Sequence, residues 1–277
     1  MTEGKGLEYW LAHLGKVELP VLKQTARDLA ALQEDEEKMT VAAVAVVTTR
    51  DPMMTVRLLR FLQGHKHRAQ TTEVIQIEQA LLMLGLGSFY RNLPTNLVVE
   101  DMLKAHVAAL PPLLRVVHRS HRASQYAMDW AVLLHDMHYE EVRTAALMHD
   151  IAEILMWCFA PEDMLKIKAM QQQEKSLRSA HVQQQVLGFT LVELQKELAM
   201  RWGLPKLLLS LMNDVSQYQE REKIVSLAIN LARHSANGWD DAALPDDYLD
   251  IAALLHITSQ EVKNMVCPVG GKMPLRH

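Results

Sequence analysis

Six prolines of this 277-residue chain, Pro20, Pro52, Pro94, Pro161, Pro205 and Pro245, each open a stretch whose apolar residues recur at helical spacing. Proline suits the first turn of a helix, where its missing N–H has no partner to lose and its fixed φ is already helical. A chain punctuated this way is cut into many short helices. Asp51-Pro52 reads as an N-cap followed by the first helical residue, starting a helix over Met53–Leu62 that stops at Gly64. The run Thr40–Thr49 is apolar on nearly every side and predicts a buried helix. Its valines would also suit a strand, but no partner strand is visible.

The same logic predicts a helix over Pro20–Gln33 and another from Thr71-Thr72-Glu73, with Ile75, Ala80, Leu81 and Leu84 inward and Gly85 as its stop. Pro94-Thr95-Asn96 starts a helix that ends before Pro111-Pro112. A long pattern from Leu113 to His135 follows, then a helix over Glu140–Trp157. Pro161, Leu187–Trp202, Pro205–Met212, Glu220–His234 and Pro245–Leu255 mark further helices, and Thr258-Ser259-Gln260-Glu261 is a capping-box start for the last. The reading is all-α, with roughly thirteen helices. The double proline divides it into an N-terminal helical half over residues 1–110 and a second helical half over 111–266, with a flexible tail over 267–277.

Net charge narrows the partners. At −4, the chain has no general attraction for nucleic acid or an anionic membrane. Its two cysteines, Cys158 and Cys267, stand outside any Cys-x-x-Cys pattern, which argues against a disulfide framework or a zinc ribbon. The first residues lack a signal-peptide core, and runs such as Val41–Val47 are too short to span a bilayer. The expectation is a cytoplasmic protein with no membrane segment. The 16 methionines, among them Met53, Met54, Met83 and Met148, read as core filler.

One stretch bears on chemistry. Ala145–Leu155 sets His149 beside Asp150 inside an apolar helix pattern, where ionisable groups are costly unless paired or bound to metal. His118 and His121 lie three residues apart on the preceding helix and share a face. Either could join His149 and Asp150 as a third ligand for a divalent ion that activates water for phosphate-ester hydrolysis. The alternative is that both are helix-surface residues beside Arg115, Arg119 and Arg122. That basic stripe is itself either a solvated face or a contact for a nucleotide, a nucleic acid or an acidic protein. A second dipeptide, His135-Asp136, shows that the pair alone is not specific.

The context of the first pair is more specific. Ala145-Ala-Leu-Met-His-Asp-Ile-Ala-Glu-Ile-Leu155 resembles the "A-x-L-L-H-D-I-G-K-L" phrase of the HD phosphohydrolase superfamily. Leu19-Pro20, Arg50-Asp51-Pro52-Met53-Met54-Thr55 with Leu58-Leu59-Arg60, Ile77–Gly85, Leu187-Gly188 and Trp202-Gly203-Leu204-Pro205 follow the order of phrases in the HDOD family, the HD-related output domain of bacterial signalling proteins. The resemblance implies an HD-domain-like multi-helical bundle with an N-terminal helical subdomain.

The departures from the HD pattern imply lost catalysis. Ala152-Glu153 stands where active HD enzymes have Gly-Lys, and Glu153 removes a positive charge that could meet a phosphate. Leu191, Val215-Ser216 and Ile229-Asn230 stand where further ligands are expected. What remains is a relic metal set of His118 or His121, His149 and Asp150, with no cofactor. The expectation is a non-catalytic signalling or regulatory protein acting through an unspecified protein partner. Two other readings stay open: a metal-dependent HD-type phosphohydrolase with a rebuilt site, and a nucleotide-sensing module with its pocket between the halves.

Overall fold

The computed structural model describes residues 5–65, 74–174, 177–212 and 219–267. The N-terminal half contains α1 (Leu7–Leu14), α2 (Lys23–Glu34), α3 (Val41–Thr48), α4 (Pro52–Gly64), α5 (Ile77–Leu84), α6 (Leu86–Asn92) and α7 (Val99–Met102). The rest contains α8 (Leu110–Leu133), α9 (Tyr139–Met148), α10 (Ile151–Phe159), α11 (Pro161–Gln173), α12 (Ser179–Leu187), α13 (Leu191–Arg201), α14 (Lys206–Met212), α15 (Gln219–His234), α16 (Leu244–Leu255) and α17 (Ser259–Val266). Among the described residues the only extended pairing is an isolated parallel bridge between Val21 and Val98.

Several start signals act as their chemistry requires. Asp51 accepts from the N–H groups of Met53 and Met54, satisfying two donors that the first turn of α4 leaves free. Thr40 caps α3 by accepting from Ala43 N–H. Thr258 and Glu261 cap each other's backbone at α17. Gly85 ends α5 at φ +77°, a conformation that a Cβ would strain.

Other elements are set by tertiary contacts and depart from the expected pattern. Pro20 does not open a helix: Val21 is spent on the bridge to Val98, and α2 starts at Lys23. Pro94 opens none either, because the chain stays extended to reach that bridge and then makes only the short α7. Pro111 and Pro112 lie in the first turn of α8, which begins at Leu110. The expected Leu187–Trp202 helix is α13 alone, preceded by a separate α12 that ends at Gly188 in the left-handed region. The expected start at Thr71-Thr72-Glu73 and the tail after Cys267 lie outside the described residues.

The long helix α8 organises the second half. Ser120, Ala123, Ser124, Ala127 and Ala131 form a buried stripe of small residues that lets α9 and α15 pack closely along it. Leu113, Val116, Val117 and Trp130 fill the space on either side. The apolar core is continuous across residue 110, since α4 packs on α8 and α9, and α1 packs on α13. Met53, Met54 and Met148 are fully buried in it, whereas Met83 is half exposed. None of the described helices is long and apolar enough to cross a membrane.

Candidate functional site

The expected single helix over Glu140–Trp157 is two helices, and His149-Asp150 is the joint between them. The backbone leaves helical geometry at Asp150, which stands at the N-cap position of α10 with φ −100° and ψ 19°. A break inside an apolar core strands backbone groups that must find other partners. Gln195 of α13 supplies them. Its side-chain oxygen accepts from Ala152 N–H at 2.8 Å, and its amide donates to the Met148 carbonyl at 3.3 Å. Gln195 is itself buried, so one side chain bridges both sides of the break.

Asp150 is held by an arginine. Arg119, reaching across from α8, places Nε at 2.9 Å and Nη2 at 2.6 Å from Asp150 Oδ2. The same Nη2 donates to Glu153 Oε2 at 2.8 Å. Asp150 and Glu153 are three residues apart and share a face of α10, so one guanidinium serves both. The other oxygen of Asp150 lies 3.0 Å from His149 Nδ1, which donates when it carries the proton. Arg119 and both carboxylates are largely shielded from solvent, which strengthens these charge-assisted bonds. Burial pushes the Asp150 carboxyl up, but Arg119 and the His149 hydrogen bond outweigh it and hold the group well below the usual carboxylate range. Glu153 goes the other way: burial and the Asp150 charge raise it despite Arg119. Burial alone would lower Arg119, and its two carboxylates more than reverse that.

The two histidines of the preceding helix do not complete a ligand set. His118 is exposed on α8. His121 is partly buried, and burial together with the nearby Arg143, His118 and Arg50 pushes its imidazole down to about 4. Cations on two sides make this a poor environment for a further positive ion. Among the described residues, no group of three or more His, Cys, Asp or Glu is placed to hold a metal ion. A divalent cation would need the lone pairs of Asp150 that Arg119 and His149 take. The residues present do not fit a metal at the position the HD motif suggests.

The basic stripe is likewise occupied in part. Arg115 is exposed, but Arg119 is taken by Asp150 and Glu153. Arg122 donates to Tyr126 Oη at 2.8 Å and Ser235 Oγ at 3.1 Å, and stacks over Trp239. It ties α8 to the end of α15.

Sequence reasoning missed Gln195 altogether, and it read Arg119 as part of a surface stripe and Glu153 as a lost positive charge without pairing them. A weak signal existed: Arg119 lies four residues before Ala123 and three after Val116, at the edge of the buried stripe. A carboxylate pair at Asp150 and Glu153 on one helix face also asks for a cation.

The opening phrases of the chain acquire structural roles too. Asp51 is fully buried and, besides capping α4, accepts from Leu22 N–H at 2.8 Å, locking the segment after Leu19-Pro20 onto that helix. Burial raises its carboxyl, while these backbone donors and Thr25 pull against it. Arg60 reaches the carbonyls of Leu14 and Val17.

Comparison with known proteins agrees with this architecture. A family model described as HDOD domain matches residues 19–218. No curated protein matches the chain. Among solved structures, the MmoQ response regulator of Methylococcus capsulatus is 18% identical, with 91% of this chain and 98% of that chain covered at a TM-score of 0.67. A virulence factor from Campylobacter jejuni is 19% identical, with 97% of this chain and 94% of that chain covered, also at 0.67. With the all-helical fold, the Asp51-Pro52 cap and the His149-Asp150 joint in place, the match over residues 19–218 makes this chain a member of the HDOD family.

Proposed function

We propose that this protein is a non-catalytic regulatory module that works through protein–protein contact, with its His149-Asp150 pair kept as a structural joint. The observation that carries this reading is the Arg119 clamp. A guanidinium shared between Asp150 and Glu153 holds an oxygen of Asp150 that a hydrolytic metal would need. The clamp also argues against the nucleotide-sensing reading, because Arg119 and Arg122 are engaged within the fold and not displayed to phosphates.

A signalling context is supported by HDOD membership and by a fold neighbour named as a response regulator. Interaction is supported by apolar residues left in solvent where α8 turns into α9. Val132, Leu133 and Tyr139 are exposed there, and Met137 is 82% exposed. Large side chains grouped on one corner are a feature of surfaces that meet partners. The test is hydrolysis of a phosphodiester and of nucleotides by the purified protein with added Mn²⁺ or Mg²⁺. No turnover above the metal-only blank is expected, and turnover that disappears in His149→Ala would overturn the reading.

A further inference from the structure

The N-terminal half contains a cleft that neither the HD motif nor the interaction reading uses. It lies between the C-terminal end of α4, the 16–19 segment that follows α1, and residues 92–94 at the end of α6. Its volume is about 450 Å³, within the range that takes a small organic molecule. Charge is distributed unevenly in it. Among the described residues, Lys16, Arg57 and Arg60 line it against one carboxylate, Glu18. Asp51 lies near Arg57 but accepts from the N–H groups of Leu22, Met53 and Met54.

Arg57 is the residue that marks the cleft as a site. Only 6% of its side chain is exposed. Its Nη2 donates to the Pro94 carbonyl at 2.5 Å and to Glu18 Oε1 at 3.2 Å, while Nη1 is buried with no acceptor among the described residues. A buried guanidinium nitrogen without a partner is costly, and an anion is the natural complement of the free side of its fork. Arg60 holds carbonyls of the 14–17 segment only at 3.3–3.5 Å, so its charge is also incompletely matched. Farther along the same face of α4, beyond Arg57, the lining turns apolar. Phe61 and His65 stack with centroids 4.0 Å apart and planes 24° apart, beside Leu93 and Pro94.

We propose that this cleft binds a small organic anion, a phosphate or carboxylate carried on a planar ring, with Arg57, Arg60 and Lys16 facing the charge and the Phe61–His65 wall facing the ring. Glu18 competes with that anion for Arg57. It is 51% exposed, so it can swing into solvent when the ligand arrives. Ligand occupancy would then be read at the junction of α1, α4 and α6, since the same arginines hold the carbonyls of the 14–17 segment and of Pro94.

The experiment is calorimetry on the full chain with adenosine monophosphate, benzoate and, as the uncharged control, adenosine. Lys16→Glu and Glu18→Gln are the variants, because both side chains are exposed and neither supports the core. Either anion is expected to bind at millimolar concentration or better, with adenosine much weaker and affinity falling as salt rises. Lys16→Glu should weaken binding and Glu18→Gln should tighten it, each by about threefold, as exposed charge interactions allow. Binding of adenosine monophosphate alone assigns the anion as phosphate, and of benzoate alone as carboxylate. The proposal is overturned if neither anion binds, if adenosine binds as well as its phosphate, or if both variants leave the affinity unchanged.

Discussion

His149-Asp150 and His135-Asp136 carry the same two residues in the same order, and in both an arginine from a distant helix grips the aspartate. At the first, Arg119 of α8 places two nitrogens on one oxygen of Asp150 and shares itself with Glu153. At the second, Arg221 of α15 meets Asp136 as a fork, Nε to Oδ2 at 2.6 Å and Nη2 to Oδ1 at 2.9 Å. Asp136 also accepts from His138 N–H and so shapes the turn between α8 and α9. His135 adopts φ +56° on the surface, whereas His149 leans on its own aspartate inside the site. Both dipeptides serve as corners between helices. Both pairs are shielded to a similar degree, and what separates them is that the first sets two carboxylates on one cation and the second sets one.

That difference predicts an order of effects. Arg119→Ala strands two shielded carboxylates, and breaking such an arrangement costs on the order of 3–5 kcal/mol. Chemical denaturation should show the largest loss of any substitution in the two corners. Adding Asp150→Asn and Glu153→Gln to the Arg119 variant should recover part of that loss, since the unpaired charges are its cause. A loss no larger than at the second corner would erase the distinction. Arg221→Ala should cost about 1–2 kcal/mol, in the range of a hydrogen bond to a charged group, because Asp136 keeps its His138 N–H.

A separate effect should appear in the pH dependence. His121 titrates near 4 in the folded protein, against an ordinary value of 6.5. Between those values the unfolded chain binds a proton that the folded chain does not, so stability is fully present above 6.5 and falls as pH drops towards about 4. Asp150 behaves differently, because its depressed carboxyl keeps its contribution through that window and loses it only in stronger acid. His121→Gln should therefore flatten the stability profile between pH 6.5 and 4 and leave Arg119–Asp150 intact. An unchanged slope in that variant would place the titration elsewhere.

How far the sequence spoke for itself also differs between regions. The Asp51-Pro52 cap, the Gly85 stop and the Thr258–Glu261 capping box are local devices whose partners lie within a few residues, and each is where its chemistry places it. The phrases of the HDOD pattern were legible for the same reason, since Asp51 and Gly188 act at single turns. The break at His149-Asp150 was not legible. No glycine or proline marks it, and the apolar spacing runs straight through. It exists because Gln195 and Arg119, both more than thirty residues away in the chain from the groups they bond, satisfy what it exposes. The failed helix starts at Pro20 and Pro94 have a similar cause, a backbone bridge between Val21 and Val98 that no local pattern announces. Residue types named the HD candidates, but only tertiary structure reveals that an arginine stands among them.

The central claim, that Arg119 and His149 hold the Asp150 oxygens a metal would need, is tested most directly by metal content and Mn²⁺ titration of the purified protein alongside His149→Ala. No stoichiometric metal, no saturable Mn²⁺ binding at the joint, and the same result for both proteins are expected. One equivalent of metal in the wild type, lost in His149→Ala, would contradict it.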